Sequence, residues 1–278
     1  MKKKAVFIIN LISGTSDKAA IPGLIDQYLD KTQFEYEIAV TQYAGHASEI
    51  AAKAKDDGVD VVVAIGGDGT VNEVARAIVH SSTALGIIPC GSGNGLARHL
   101  LLPLNVRKAI EVINRCEIRQ LDYGIINEYP FFCTCGMGFD AFVSMKFAEA
   151  GKRGPITYVE NVLREGLKYE PETYTIEDDN GTLQYKAFLI SCANASQYGN
   201  NAYIAPQASM SDGRNHNGAV RRVRSATDKH RNVQQDARQE LKNKDIPYTP
   251  PAHTSRQAGR NSLRRRPRND WCRHRRRT

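Results

Sequence analysis

The first part of the chain alternates short apolar runs with longer stretches in which apolar residues recur at helical spacing. The intervening stretches carry sets such as Ile21, Leu24 and Ile25, typical of one buried helix face. Continuous apolar runs are typical of parallel strands that are buried on both faces. The pattern therefore predicts an α/β domain with a parallel sheet between helices, and its four strands are expected at 4–10, 35–41, 59–65 and 84–89.

After about residue 118 the pattern changes to shorter runs with alternating polarity. Two helices are expected as well, one from Asp140 and one from Pro155, since proline suits a first helical turn. A turn at 178–181 favours a hairpin. We predict an α/β nucleotide-binding domain over 1–118 and a β-rich, sandwich-like domain over 119–213 that lacks several strands. Its strands are expected at 119–126, 131–135, 173–177 and 183–192.

The last part of the chain, residues 214–278, has a different composition. It holds 19 Lys and Arg against 5 Asp and Glu, a net charge of +14, while residues 1–213 carry a net charge of −6. Its few apolar residues follow no regular period, so burial cannot offset the entropy of ordering and disorder is the expectation. Because the change falls directly after Gly213, where no apolar strand is expected to follow, we hypothesise a frame-shifted translation. A genuine basic tail is the alternative, suited to anionic lipid headgroups or to nucleic acid without sequence specificity.

Cysteine spacing and hydropathy limit the cellular setting. The six cysteines show no paired metal-knuckle spacing, so reduced thiols of a cytosolic protein are expected. No apolar run approaches the roughly 18 residues that a spanning helix needs. We therefore expect a cytoplasmic protein, with peripheral contact at the inner face of the membrane and no specific nucleic-acid partner.

The segment 61–74 carries the most specific chemistry. An apolar strand run breaks at Gly66 and Gly67, continues with Asp68, Gly69 and Thr70, and then becomes helical. A glycine turn at a helix N-terminus binds phosphate, because free N–H groups point outward and the helix dipole favours negative charge. A carboxylate beside phosphates repels them unless a cation lies between, so the segment predicts a magnesium–nucleotide site.

Three other loops also follow predicted strands. They contain Asn10, Thr41 and Ser92, the last within the run Gly91-Ser92-Gly93-Asn94. Each is weak evidence alone, because Asn, Ser, Thr and Gly are ordinary turn residues. Their shared position at strand ends is stronger evidence, since ligands in parallel sheets gather at the carboxyl ends of the strands.

Taken together, these residues resemble the diacylglycerol kinase catalytic family, which includes bacterial lipid kinases and sphingosine kinases. The glycine turn alone is less specific, because NAD kinases and phosphofructokinases carry similar ones. Its combination with the Gly-Ser-Gly-Asn loop and the late Ser-Asp-Gly favours the lipid kinases over NAD kinase. The resemblance extends over nearly all of residues 1–213. It is carried by the segments 10–14, 41–47, 66–74, 89–97, 121–124, 136–140 and 204–213.

The resemblance implies roles for particular residues. Asp68 would act in catalysis through magnesium, Asp212 would be the general base, and Asp140 would touch the acceptor head group. The nucleotide site would be lined by Asn10, Thr41 and Ser92, and the ATP phosphates would be held by Gly66, Gly67, Gly69 and Thr70.

The expected function is an ATP- and Mg²⁺-dependent lipid kinase that phosphorylates a hydroxyl of diacylglycerol or of a sphingoid-like lipid at a membrane surface. Two alternatives stay open. One is a kinase of the NAD kinase type with a soluble substrate, and the other is an inactive nucleotide-binding remnant. If the tail is frame-shifted, the β-rich domain is incomplete and impaired turnover is expected.

Overall fold

A computed structural model describes residues 1–11, 18–139, 141–142, 145, 169–178, 181–212, 216–220 and 264–265. The chain divides into two compact units. The first comprises Met1–Cys133, Asn194–Arg214 and Leu263–Thr278, and the second comprises Thr134–Ala193 and Asn215–Ser262. The predicted boundary at 118/119 stays a prediction.

The first unit is built on a four-stranded parallel sheet, which confirms the predicted α/β class. The strand order is β2-β1-β3-β4, with β1 Lys3–Ile9, β2 Phe34–Val40, β3 Val61–Gly66 and β4 Ala84–Pro89. The helices of this unit are α1 Ile21–Tyr28, α2 His46–Asp56, α3 Asp68–Ile78, α4 Gly95–His99 and α5 Val106–Arg115.

Both faces of the sheet are buried because successive strand residues point to opposite sides. On β3, Val62 and Ala64 pack in one core with residues of α2 and α3. Val63 and Ile65 pack in a second core, with residues of α1 and α5. Full burial of a valine or isoleucine side chain is worth about 2 kcal/mol. This two-sided packing explains the unbroken apolar run that the sequence shows.

The strand order creates a topological switch point. From β1 the chain crosses to β2 on one side, then returns past β1 to β3 on the other. The loops that follow β1 and β3 therefore diverge from neighbouring positions, which is where open parallel sheets form their ligand crevice.

The helical sequence that begins near Leu96 forms two helices rather than one. Between α4 and α5, Leu101 has a φ of 57° and Pro103 follows, neither of which suits a helix interior. The second helix starts anew at Asn105, whose side chain accepts a hydrogen bond from the Lys108 amide at 3.1 Å.

The remaining strands form three small sheets. A small sheet of the first unit contains β5 Gly124–Ile126, β6 Tyr129–Phe131 and β12 Arg264–Arg265. The second unit contains an antiparallel sheet of β7 Thr134–Gly138, β10 Leu189–Ala193 and β11 His216–Val220, and a hairpin of β8 Glu172–Asp178 and β9 Gly181–Ala187. The β-rich second region and the hairpin are as predicted.

Three strand predictions are wrong in extent. The segment 119–126 forms a strand only over its last three residues. The predicted strands 131–135 and 183–192 each divide between two strands of different sheets, with breaks at 132–133 and at Phe188. The apolar pattern continues through each break, so hydropathy alone gives no sign of it.

A strand does follow Gly213, although it is not the apolar strand whose absence was noted in the sequence. Residues His216–Val220 form β11, which pairs antiparallel with β10. An edge strand offers unpaired N–H and C=O groups to any neighbouring chain, so this pairing does not require the apolar alternation that the tail lacks. The rest of the tail, apart from 264–265, lies outside the described residues, as do most of the predicted helices from Asp140 and Pro155. None of the helices described is long and apolar enough to cross a membrane.

Candidate nucleotide-binding site

The predicted site loops leave the sheet side by side at its carboxyl edge. At each junction the residue just past a strand donates its amide to the carbonyl at the end of the neighbouring strand. The bonds are Thr41 N–H to Ile9 O at 2.9 Å, Asn10 N–H to Ile65 O at 3.1 Å and Cys90 N–H to Gly66 O at 2.7 Å. The sheet therefore brings these loops to one edge, as the sequence predicted.

The two glycine-rich loops touch through their backbones. A Cβ built on Gly67 would lie 3.2 Å from the Gly91 Cα, and one built on Gly91 would lie 2.4 Å from the Gly67 Cα. Real Cβ atoms do not approach other atoms as closely as the second value. Only glycine at position 91 therefore allows the turn after β3 and the turn after β4 to pack against each other.

The N-terminus of α3 is suited to an anion. Amides in the first turn of an α-helix have no carbonyl partner within the helix, and the N-cap Gly67 has no side chain to accept a hydrogen bond from them. The helix dipole adds partial positive charge at the same place. The amides of Asp68, Gly69 and Thr70 thus form a turn of the phosphate-binding type, and the prediction that they hold ATP phosphates stays a prediction.

Asn10 joins the loop after β1 to this turn. Its Nδ2 donates to Thr70 Oγ1 at 3.1 Å, and its carbonyl accepts a hydrogen bond from Lys18 Nζ. Thr70 and Thr41 are both buried, and the Thr70 hydroxyl is fixed by the Asn10 amide rather than exposed to solvent. The contact links the two strands on either side of the switch point.

Asp68 serves as an anchor between the two glycine loops. Its Oδ1 accepts a hydrogen bond from the Gly95 amide at 2.6 Å. The other carboxylate oxygen, Oδ2, faces Gly93, where an added Cβ would lie only 2.8 Å from it. The sequence predicted a metal-directed role for this carboxylate and did not anticipate its bond to the second loop.

Asn94 shapes the second loop from within. It adopts a left-handed conformation with a φ of 50°, which asparagine tolerates better than most residues. Its Oδ1 accepts the Gly91 amide at 2.9 Å, and its Nδ2 donates to the Gly91 carbonyl at 2.7 Å. Ser92, at the tip of the loop thus closed, is exposed and available to a ligand.

A third segment, residues 194–201, packs on the second loop and was not predicted from the sequence. Asn200 N–H donates to the Gly93 carbonyl at 3.0 Å. A Cβ built on Gly199 would lie 2.7 Å from the Gly93 carbonyl carbon. A Cβ built on Gly95 would lie 2.8 Å from the carbonyl oxygen of Tyr198. The run Gly-Asn-Asn does signal a turn, but local sequence carries no information about what that turn contacts.

Lys18 is a second residue that sequence analysis missed. Its side chain is only 3% exposed, yet it carries an ammonium group beside the Asn10 carbonyl at the carboxyl edge of the sheet. Burial raises the pKa of the nearby Cys90 thiol, and the Lys18 charge partly opposes that increase. A lysine shortly after a Ser-Gly loop was the available signal, although lysines on helix starts are too common to single one out.

His99 fixes the third segment to α4. Its Nδ1 accepts the Ser196 amide at 3.1 Å and lies 2.9 Å from the Ser196 hydroxyl, so the neutral ring carries its proton on Nε2. Burial lowers the pKa of His99 below its ordinary value. The folded protein therefore binds this proton less readily than the unfolded chain.

We expect stability to fall as the medium is acidified. The contribution of neutral His99 is complete above its ordinary pKa of about 6.5 and is lost progressively as the pH drops below that value. Melting temperatures measured from pH 7.5 to 5.5 should decrease more in the wild type than in His99→Gln, whose amide oxygen also accepts a hydrogen bond but does not titrate. Parallel pH profiles for the two proteins would contradict this assignment.

The two remaining predicted site residues differ in status. Asp212 is exposed and follows closely on Met210, whose carbonyl accepts the Asp122 amide at 2.6 Å. Its predicted role as general base stays a prediction. Asp140 lies outside the described residues, so its predicted contact with an acceptor stays a prediction.

The described residues fit a metal ion that takes most of its coordination from a bound phosphate compound and water. Among them, no group of three or more His, Cys, Asp or Glu side chains lies close enough together to hold one. Mg²⁺ in phosphate-transfer sites commonly uses one or two carboxylates and takes its other ligands from phosphates and water. One carboxylate, Asp68, at the mouth of a phosphate-type turn is consistent with that arrangement.

The fold defines a protein of the open parallel α/β class with glycine-rich turns at the carboxyl edge of its sheet, and comparisons with known proteins specify the family. The family model described as diacylglycerol kinase catalytic domain matches residues 4–126. A second, described as YegS C-terminal NAD kinase beta sandwich-like domain, matches residues 133–227. The chain belongs to the diacylglycerol kinase catalytic-domain family, which is of the lipid-kinase type.

Individual relatives agree with this assignment. The chain is 30% identical over 218 residues to the diacylglycerol kinase of Staphylococcus saprophyticus. The matched region covers 77% of this chain and 71% of that protein. It is 29% identical over 183 residues to the Escherichia fergusonii protein named Probable lipid kinase YegS, covering 63% of this chain and 61% of that protein. The crystal structure of a diacylglycerol kinase from Bacillus anthracis has the same fold, with a TM-score of 0.62, 22% identity, and coverage of 88% of this chain and 79% of that one.

Proposed function

We propose that this protein is an ATP- and magnesium-dependent kinase that transfers phosphate to a hydroxyl of diacylglycerol or of a sphingoid-like lipid. The main support is the phosphate-type turn at the N-terminus of α3, locked against the 91–95 loop at the switch point of the sheet. Membership of a lipid-kinase family favours a lipid acceptor over a soluble one. The proposed setting is the cytoplasmic surface of a membrane.

Each residue has a defined task in this proposal. The first-turn amides of α3 hold the phosphates, with Asn10 positioning the Thr70 hydroxyl and Lys18 supplying positive charge beside them. Thr41 and Ser92 line the nucleotide. Magnesium, when bound with ATP at Asp68, would neutralise charge on the phosphates.

The transfer itself needs a proton acceptor. Asp212 takes the proton from the lipid hydroxyl as its oxygen bonds to the γ-phosphorus, while the bond from that phosphorus to the β,γ-bridging oxygen breaks. The products are a lipid phosphate and ADP. Such chemistry depends mainly on in-line positioning and charge neutralisation, so one base is sufficient.

A direct assay tests this function. The chain is incubated with labelled ATP, Mg²⁺ and mixed micelles containing a panel of lipid alcohols, and labelled lipid is measured. We expect transfer to a lipid, and a loss of about 100-fold or more in Asp212→Asn with nucleotide affinity unchanged. Asp57→Asn, an exposed carboxylate at the end of α2, is the matched control and should keep full activity.

The tail decides in which protein the assay is carried out. We propose that the tail within 214–278 contains a frame-shifted translation, so the printed chain should turn over slowly and a chain rebuilt in the corrected frame should be active. The family match to residue 227 and the pairing of β11 favour a shift later than Gly213. Reading the coding DNA in the two other frames from codon 213 to about codon 227 tests this independently, because a correct frame must give alternating apolar strands.

A second candidate function is phosphorylation of a soluble acceptor, as in NAD kinases. It is favoured by the second family model, which is described as NAD kinase beta sandwich-like. Labelled phosphate on NAD without labelled lipid would select this function. Nucleotide binding without transfer to any acceptor, in the rebuilt chain as well, would indicate an inactive remnant.

A further inference from the structure

Two cysteines face each other across adjacent strands of the second unit. In the antiparallel pairing of β7 with β10, Cys135 is directly opposite Cys192. Opposite residues in such a ladder have Cα atoms about 4.5 to 5.5 Å apart and side chains on the same face. Disulfides form at Cα separations of about 4.4 to 6.8 Å, so this pair needs no movement of the backbone to be bridged.

The side chains of the pair are already in contact. A hydrogen bond with the Cys135 thiol lowers the pKa of Cys192, and this effect outweighs desolvation, which acts in the opposite direction. Neither takes part in a disulfide; Cys192 is buried and Cys135 is half-buried. An oxidant can therefore reach Cys135 from solvent, and the second sulfur is positioned behind it.

The other cysteines among the described residues are less suited to oxidation. Burial raises the pKa of Cys133 to about 12, with a further contribution from the Asp68 charge, and burial also raises the pKa of Cys90. Cys116 accepts a hydrogen bond from Lys3 Nζ at 2.8 Å, but it is the C-cap of α5 and does not lie opposite a cysteine in any of the described strand pairs. Because a disulfide needs a second thiol in contact with the first, oxidation to a disulfide should select the cross-strand pair.

We propose that Cys135 and Cys192 are a redox modification site, which forms a reversible cross-strand disulfide when the protein meets a peroxide. The thiolate of one of the two cysteines attacks a peroxide oxygen, the O–O bond breaks, and a sulfenic acid forms as hydroxide leaves. The sulfur of the other cysteine then attacks the sulfenic sulfur, the S–S bond forms, and the sulfenic oxygen leaves as a second hydroxide. Both hydroxides take up the two thiol protons, so two thiols and one peroxide give one disulfide and two waters.

The bond would close the long loop 136–191 and fix β7 and β10 in one register. It would be reversed by a dithiol, which restores both thiols and becomes oxidised itself. In a reducing compartment the pair is therefore a dithiol at rest and becomes cross-linked under oxidative stress. The proposal is independent of the proposed kinase function, because its readout is a covalent bond.

Peptide mapping tests the proposal on the intact chain. The folded protein is treated with hydrogen peroxide, its remaining thiols are alkylated, and it is digested with trypsin under non-reducing conditions. Cys192 is the only cysteine in the tryptic peptide 187–214. The tryptic peptide 120–146 contains Cys135 and Cys133. We expect these two peptides to be cross-linked in the wild type and to be released by dithiothreitol.

Variants identify the sulfur atoms. Cys133→Ser should leave the cross-link unchanged, whereas Cys135→Ser should reduce it by about tenfold or more. In Cys192→Ser the sulfenic acid on Cys135 has no partner, so dimedone should label Cys135 there and not in the wild type. Separate alkylation of Cys135 and Cys192 after peroxide treatment, or a cross-link that persists in Cys135→Ser, would overturn the proposal.

Discussion

Gly91→Ala is expected to lower the free energy of unfolding by about 3 kcal/mol, the upper part of the range for overpacked interiors. The added Cβ would lie 2.4 Å from the Gly67 Cα and 2.9 Å from Asn94 Oδ1. Neither contact can relax by a rotation, because one partner is backbone and the other holds the Gly91 amide. The loops must separate, which should also weaken ATP affinity by about tenfold or more. Urea unfolding and calorimetric titration with a non-hydrolysable ATP analogue measure the two effects.

Two glycine variants serve as controls for this experiment. A Cβ on Gly69 or on Gly23 would meet no atom within 4 Å. Gly23→Ala, inside α1, should be neutral or stabilising by up to about 1 kcal/mol, since alanine favours helices. Gly69→Ala should preserve stability, so any loss of ATP affinity in it reports on the approach of phosphate alone. If Gly91→Ala proves as stable as Gly69→Ala, the steric account of the paired loops is wrong.

Substitutions at Asp68 should separate its two roles. Asp68→Asn keeps an oxygen that can accept the Gly95 amide but removes the charge, so stability should change by less than about 0.5 kcal/mol. Asp68→Ala removes the acceptor as well and should cost about 1.5 kcal/mol, the usual value for a hydrogen bond to a charged group. If the carboxylate acts through magnesium, both variants should lose phosphoryl transfer by about 100-fold or more.

The dependence of ATP affinity on Mg²⁺ is the measurement that decides between these roles. In Asp68→Asn the affinity without metal should match that of the wild type, and added Mg²⁺ should no longer strengthen it. A variant that is stable and still responds to Mg²⁺ like the wild type would show that Asp68 is only an anchor for the 91–95 loop. The metal would then need another ligand in the protein.

The parallel sheet was predictable because its evidence is local. Each run such as 59–65 is apolar on both strand faces, and both faces are covered in the structure. The loops at the strand ends followed from the same reasoning, since parallel strands end at one edge. The predicted cluster of Asn10, Gly67, Asp68 and Thr70 is therefore confirmed as a structural arrangement, while the chemical roles of these residues stay predictions.

Contacts between distant parts of the chain were not predictable. Gly199 packs against Gly93 across more than 100 positions, and nothing in either local sequence indicates the other. The burial of Lys18 depends likewise on tertiary packing that a lysine at a helix start does not reveal. Strand breaks were missed for a related reason: Phe188 is aromatic and suits a strand, yet it marks the junction where the chain passes from one sheet to another.

The main-chain contacts of Gly67 with Gly91 and of Gly199 with Gly93 have a mechanical consequence. Side chains in contact can change rotamer and absorb a displacement, whereas backbones in van der Waals contact transmit it. A movement of residues 198–201 must therefore shift the 91–95 loop, and through it the turn at 66–70. The stiffness of this junction ties the geometry of the turn at 66–70 to the conformation of a segment that lies far along the chain.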